Sequence, residues 1–302
     1  MIDFSEVTRA KSKARIAVTG PSGSGKTLSS LYLAYGITGD WAKVALIDTE
    51  HERGRFYADR TDLNTGKFLY ASMTPPYTPD KYIEYVKSAA EIVGSDGAVI
   101  IDSFSHCWDN EGGVLDIKSQ IAQQRGKNDY TAWDEAGKIQ NNLVNTILSV
   151  DCHTIITMRA KMAYAMEVND RGKTVPVKIG LAPVQRENTE YEFDMCFQLD
   201  RAHNASLSKD TTFLDSWTGI ITPELGKQLG EWLSKGVELP RCTDCGDVIM
   251  ACNNRSVQQI IDGTTKNYGR QLCMQCVAKL IKQKKQEKQR EGAGNAASTV
   301  SE

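Results

Sequence analysis

Gly20-Pro21-Ser22-Gly23-Ser24-Gly25-Lys26-Thr27 places glycines where a backbone must curl tightly, then a cation and a hydroxyl. Successive N–H groups of such a loop converge on one point, and a helix starting there adds partial positive charge. Lys26 would neutralise the β- and γ-phosphates of a nucleotide, and Thr27 would offer its hydroxyl to Mg2+. The octapeptide therefore predicts a site for ATP and Mg2+.

Two acids have the spacing to complete such a site. Asp102 ends the apolar run Ala98-Val99-Ile100-Ile101, so its carboxylate emerges at the carboxyl edge of a sheet, where it can hold Mg2+ through water. The competing reading of Asp102 is a strand-end acid that caps a turn. Glu50 follows Ala45-Leu46-Ile47-Asp48-Thr49 and stands just past another strand end. A carboxylate there could orient and deprotonate an attacking water, which makes Glu50 and Lys26 the candidate catalytic residues. The competing reading of Glu50 is a loop acid paired with Arg53 or Arg55.

These residues need a sheet to position them. Apolar, β-branched runs at 16–19, 44–48, 98–102, 154–157 and 193–199 predict strands. Between them Ile83, Val86, Ala90 and Val93 recur at helical spacing, as do Trp133, Ala136, Leu143, Ile147 and Val150. That alternation predicts an α/β domain with a mainly parallel sheet. Thr222-Pro223-Glu224 predicts the start of a last helix carrying Leu225, Leu229, Trp232 and Leu233. The expected organisation is a nucleotide-binding domain over 1–235, a small cysteine module over 241–281 and a disordered basic, polar tail over 282–302.

Residues 15–217 resemble the RecA-like AAA-family ATPases of phages, whose best-known members are single-strand annealing proteins of the Sak group. The supporting segments are 47–54, Asp102-Ser103-Phe104-Ser105-His106 with Trp108, Met158-Arg159-Ala160-Lys161, Pro183-Val184-Gln185-Arg186 with Tyr191-Glu192-Phe193, and Ser208-Lys209-Asp210. The resemblance implies a RecA-like P-loop core, with Glu50 as catalytic glutamate and Asp102 as the acid of the Walker B strand. It also implies ATP at a boundary between identical subunits. Where RecA-type recombinases place a γ-phosphate-sensing Gln after the fourth core strand, this chain has Thr157-Met158-Arg159. Arg159, Lys161 and Lys209 are the candidates to reach a phosphate across a subunit boundary instead, as the finger residues of RecA-like assemblies do; the other reading of each is a solvated surface cation.

A turn at Asn169-Asp170-Arg171-Gly172 between two β-prone segments predicts a hairpin. Arg171, Lys173, Lys178 and Arg186 would give it a cationic surface for the backbone of single-stranded DNA, unless it is simply a solvated hairpin. Overall charge gives no help, because 36 Lys and Arg against 38 Asp and Glu leave a formal charge of -2.

Cys242-x2-Cys245 and Cys273-x2-Cys276 form two knuckles with thiolates at the separation a tetrahedral Zn2+ requires. Their 27-residue spacer exceeds the common zinc-ribbon separation, and Cys252 is a possible substitute ligand. Paired buried or redox cysteines are the other reading. Residues 279–291 carry an excess of four positive charges, suited to a solvated helix end or to nonspecific phosphate contacts.

No run approaches the ~18–20 apolar residues of a membrane span. Arg9, Lys11, Lys13 and Arg15 precede no apolar leader segment, and knuckled cysteines suit a reducing compartment. The expected setting is therefore cytoplasmic, in the host if the chain is phage-encoded. The functions in contention are a DNA-annealing or strand-exchange ATPase, which could also meet a single-strand-binding protein, a nucleotide-switched assembly protein with negligible turnover, and a P-loop small-molecule kinase.

Overall fold

The computed structural model describes residues 7–168, 174–252 and 255–297, without the side chains of 164–168, 174–179 and 287–297. The chain divides into two compact units, Ser12–Ser234 and a second made of Met1–Lys11 with Lys235–Glu302. Residues 1–11 were expected in the large domain. Their described part instead pairs within the second unit, where Ala10 bridges to Val237 and Lys11 N donates to the Val237 carbonyl at 3.0 Å.

The larger unit runs β1 (Arg15–Gly20), α1 (Lys26–Thr38), β2 (Val44–Asp48), β3 (Leu69–Ser72), α2 (Pro79–Val93) and β4 (Ala98–Asp102). It continues with α3 (His106–Asp109), α4 (Val114–Ala122), α5 (Asp129–Ser149), β5 (His153–Val168) and β6 (Thr174–Pro183). It closes with β7 (Met195–Leu199), β8 (Asn204–Asp210), β9 (Thr218–Ile220) and α6 (Pro223–Leu233). The strand order is β3-β2-β4-β5-β1-β7-β8-β9, parallel from β3 to β7 and antiparallel across β8 and β9. This is an α/β P-loop fold with a mainly parallel, mixed sheet.

The central strands read as continuous apolar runs because both sheet faces are covered. Successive side chains point to opposite faces, so Ala45, Ile47, Val99 and Ile101 enter one core with Val86 of α2 and Leu143 of α5. Val44, Leu46, Ala98 and Ile100 enter the other, with Leu31 and Leu33 of α1 and Leu225 and Leu229 of α6. Helices α1 and α6 meet backbone to backbone at glycines. A Cβ on Gly36 would lie 2.1 Å from the Pro223 carbonyl oxygen and 2.7 Å from Gly226 Cα.

β5 outruns the sheet. From Ala160 onward it leaves β1 and pairs antiparallel with β6 as a two-stranded ribbon, from Ala160–Pro183 out to Val168–Thr174.

In the second unit, α7 (Val257–Tyr268) begins at a capping box, in which Ser256 Oγ accepts from Gln259 N and Gln259 Oε1 accepts from Ser256 N. α8 (Met274–Ala297) packs Cys276 and Val277 against Ile249, Ile260 and Leu272. The tail expected to be disordered from 282 instead continues α8 to Ala297, since Lys, Gln, Glu and Arg are strong helix formers. Among the described residues, no helix is long and apolar enough to cross a membrane.

Candidate nucleotide site and cysteine centre

The phosphate loop joins β1 to α1, and its turns need Gly23 at φ 78° and Gly25 at φ 88°, both in the left-handed region open to glycine. Gly25 is the N-cap of α1 and no side chain caps it, so the first-turn N–H groups remain directed at the loop. Ser24 Oγ is buried without a hydrogen-bond partner. Lys26 Nζ donates to the carbonyls of Gly20 at 3.0 Å and Pro21 at 2.9 Å, curling its ammonium over the cradle. Burial lowers the Lys26 pKa, opposed by the carboxylates of Asp102 and Glu50 and assisted by Arg159. An orphan hydroxyl, uncapped N–H groups and a desolvated ammonium suit a polyphosphate.

Thr27 and Asp102 meet directly. Thr27 Oγ1 donates to Asp102 Oδ2 at 2.5 Å, and Thr157 Oγ1 donates to Asp102 Oδ1 at 2.5 Å. Asp102 is only 3% exposed, and burial raises its pKa against the two hydroxyl bonds, with Glu50 and Asp48 adding repulsion. A hydroxyl and a buried carboxylate in contact beside a phosphate cradle fit Mg2+.

Glu50 is delivered by a built turn. Asp48, 1% exposed, accepts Glu50 N at 2.5 Å through Oδ1 and both Gly54 N at 2.8 Å and Tyr70 Oη at 2.9 Å through Oδ2. Burial and this bond push the Tyr70 phenol up to about 12, so it remains a donor. Gly54 is required because a Cβ there would fall 2.5 Å from Leu46 Cδ2 and 2.9 Å from Asp48 Oδ2. Behind it, Thr49 N donates to the Asp102 carbonyl at 2.7 Å, and Thr49 Oγ1 shares a 2.7 Å bond with buried His106 Nδ1. His106 Nε2 stands 3.9 Å from Glu50 Oε1.

The partner of Glu50 is neither Arg53 nor Arg55. Arg159 Nε donates to Glu50 Oε1 at 2.9 Å and its Nη2 forms an ion pair with the same oxygen at 2.9 Å, whereas Arg55 pairs with Glu52. Residue types at the ends of Ala98–Asp102 and Val44–Asp48 signalled Asp102 and Glu50. Asp48, Thr157 and His106 were missed as parts of the site, although for Asp48 and Thr157 a polar residue at the end of an apolar run was a usable signal.

The other candidates separate. Lys161 is exposed at the root of the ribbon opposite Ala182, and Lys209 on β8 donates to the Tyr191 carbonyl. Arg186 lies beyond β6, where Nη1 donates to Asn141 Oδ1 at 3.0 Å. It lines a polar cleft of about 400 Å3 with Gln140 and Glu192, a cleft that includes no phosphate-loop residue. Arg171 and Lys173 lie outside the described residues, as does the side chain of Lys178, whose backbone pairs with Tyr164.

In the second unit, Cys242, Cys245, Cys273 and Cys276 bring their sulfurs within 4.8 Å of one another. Cys242, Cys273 and Cys276 are buried, and Cys252 stands outside the group. Burial opposes ionisation of Cys242, but backbone N–H groups of Cys273, Cys245 and Asp244 bring its thiol down to about 6. Four converging sulfurs, one already inclined to the thiolate, could hold Zn2+.

A family model described as an AAA domain matches residues 12–218. No curated protein matches the chain.

Proposed function

Because the chain belongs to the AAA domain family and carries a P-loop ATPase domain, we propose that it is a Mg2+-dependent ATPase that binds single-stranded DNA and promotes annealing or strand exchange, as the phage Sak group does. The observation that carries the ATPase half is the contact between Thr27 and Asp102 beside the phosphate loop, with Glu50 held on the neighbouring turn.

The loop N–H groups of residues 22–27 bind the phosphates. Lys26 exchanges its two carbonyl partners for phosphate oxygens, a cation moving from dipoles to full anions. Thr27 and Asp102 would hold Mg2+, which when bound neutralises charge on the β- and γ-phosphate oxygens. Glu50 orients the attacking water and takes its proton on the carboxylate. Backbone bonds through Asp48 and Thr49 keep that carboxylate from drifting, and the buried Tyr77 and His106 beneath it limit water.

The DNA half rests on the β5–β6 ribbon, which leaves the sheet immediately after Arg159. Its cationic candidates are Arg171, Lys173 and Lys178, and nucleotide shared between subunits would line up successive ribbons along one strand. The four-cysteine unit, holding Zn2+, folds as a separate support. A nucleotide-switched protein with little turnover is the second reading, favoured by the engagement of Glu50 with Arg159.

The test combines ATP turnover, oligomer size and strand annealing, with and without single-stranded DNA. If each subunit meets about four phosphates, log affinity should fall against log salt with a slope near ~3, at ~0.7 per contact. Replacing Arg171, Lys173 and Lys178 together by Ala should flatten that slope and slow annealing while DNA-free turnover survives. A salt-insensitive monomer that phosphorylates a nucleoside monophosphate would instead be the kinase.

A further inference from the structure

The two flanks of the phosphate-loop strand are built differently. β1 lies between β5 and β7, both parallel to it. The acids gather on the β5 side, where Asp102 ends β4 and Glu50 follows β2, so the γ-phosphate end of a bound nucleotide belongs there. The phosphates must then cross the loop toward β7, and whatever hangs from the α-phosphate lies on that side.

On that side the loop meets the turn between β7 and β8. Leu199 ends β7 against Gly20, where a Cβ would fall 2.8 Å from the Leu199 carbonyl oxygen. Further along the turn His203 reaches Gly25, where a Cβ would lie 2.9 Å from His203 Nδ1. Gly25 is therefore required both by its φ of 88° and by an imidazole that takes the space beside it. The turn itself is rigid: Asp200 Oδ1 accepts Ala202 N at 2.8 Å and Asn204 N at 2.9 Å, and Asp200 N donates to the Asn204 carbonyl at 2.9 Å. It holds His203 at φ 67°, a left-handed backbone that is strained for a side chain of this size. His203 is exposed, so its ring buries little apolar surface in return for that strain.

We infer that His203 seats the nucleoside of the bound nucleotide, its imidazole packing against the ribose and base at the end of the cradle opposite Glu50. The inference rests on the ATPase reading above. An imidazole face stacks on a base, and a ring nitrogen can exchange a hydrogen bond with a ribose hydroxyl. Because the ring leans on the backbone of the loop, nucleoside and phosphates are located by one rigid assembly of β1, the loop and the β7–β8 turn. The contact is common to nucleoside diphosphates and triphosphates and is lacking for an inorganic polyphosphate. It therefore makes the site prefer nucleotide over free polyphosphate, which the loop N–H groups alone would bind alike.

The experiment measures the affinities of ADP, a nonhydrolysable ATP analogue and inorganic tripolyphosphate, each with Mg2+, for the full chain and for His203→Asn and His203→Gly. Both substitutions remove the imidazole and accept a left-handed backbone, so neither variant should melt below the unaltered protein without nucleotide. Both should weaken ADP and the analogue by the same factor, about 10-fold, the worth of one base stack, and leave tripolyphosphate within about threefold. Equal weakening of all three ligands would overturn the inference, since it would report a disturbed loop. So would a loss confined to the analogue, which would put His203 at the γ-phosphate end, or no loss at all. If His203→Asn does not fold, His203→Gly serves the same comparison. Failure of the unaltered protein to bind either nucleotide would instead remove the ATPase reading itself, and the inference with it.

Discussion

Thr27 Oγ1 and Asp102 Oδ2 meet at 2.5 Å although the residues are 75 positions apart in the chain. The strands that deliver them, β1 and β4, are not neighbours, because β5 runs between them. Thr27 reaches Asp102 from the first turn of α1, and Thr157 on β5 closes the other carboxylate oxygen. The cost of this convergence is a buried carboxylate, and burial raises its pKa against the two hydroxyl bonds that hold it.

Asp102→Asn should therefore stabilise the nucleotide-free protein and disable Mg2+ binding. An acid with a folded pKa above its unfolded value destabilises the fold at pH 7. That penalty fades as pH falls through the folded pKa and is gone below about 3.9. Thermal melts without nucleotide should place the variant about 2–4 °C above the unaltered protein at pH 7, for roughly 1 kcal/mol. The gap should close on acidification. ATP with Mg2+ should raise the melting temperature of the unaltered protein and not that of the variant.

Gly54→Ala should slow hydrolysis while nucleotide binding survives. The added methyl would press on Leu46 and on Asp48 Oδ2, and Asp48 holds the Glu50 backbone. Overpacking of this kind costs about 1–3 kcal/mol in denaturant unfolding. Turnover unchanged in a folded Gly54→Ala protein would show that the Asp48 cradle does not position Glu50.

Purified protein should contain about one zinc per chain. Cys242→Ser or Cys273→Ser should abolish it and unfold the second unit, leaving nucleotide binding by Ser12–Ser234 intact. Cys252→Ser should retain the metal, because Cys252 lies outside the sulfur cluster. Metal analysis of the three variants decides between the two ligand sets.

Much of this fold was legible because its central strands are unbroken apolar runs bounded by the residues that do chemistry. The strands that escaped were β3, β8 and β9, of which Leu69–Ser72 is exposed or half-buried and Asn204–Asp210 is largely polar. Strands at or near a sheet edge are less covered, so neither face has to be apolar. Trp133, expected to be buried by its helical spacing, is 40% exposed and stacks on Trp108 under Lys118. The phosphate loop was readable from eight contiguous residues, whereas the Glu50–Arg159 pair was not, because its members are 109 positions apart. Local sequence offered Arg53 and Arg55 as nearer partners, whereas Arg159 comes from β5, two strands away from β2 in the sheet.

The most direct test of the account is single-turnover hydrolysis of ATP with saturating Mg2+ and single-stranded DNA, comparing the unaltered protein with Glu50→Gln. Removing the proton acceptor while leaving the phosphate cradle should lower the rate about 100-fold or more, with nucleotide affinity undiminished. Hydrolysis at the unaltered rate in Glu50→Gln would contradict the assignment of Glu50, and with it the site built on Lys26, Thr27, Asp102 and Arg159.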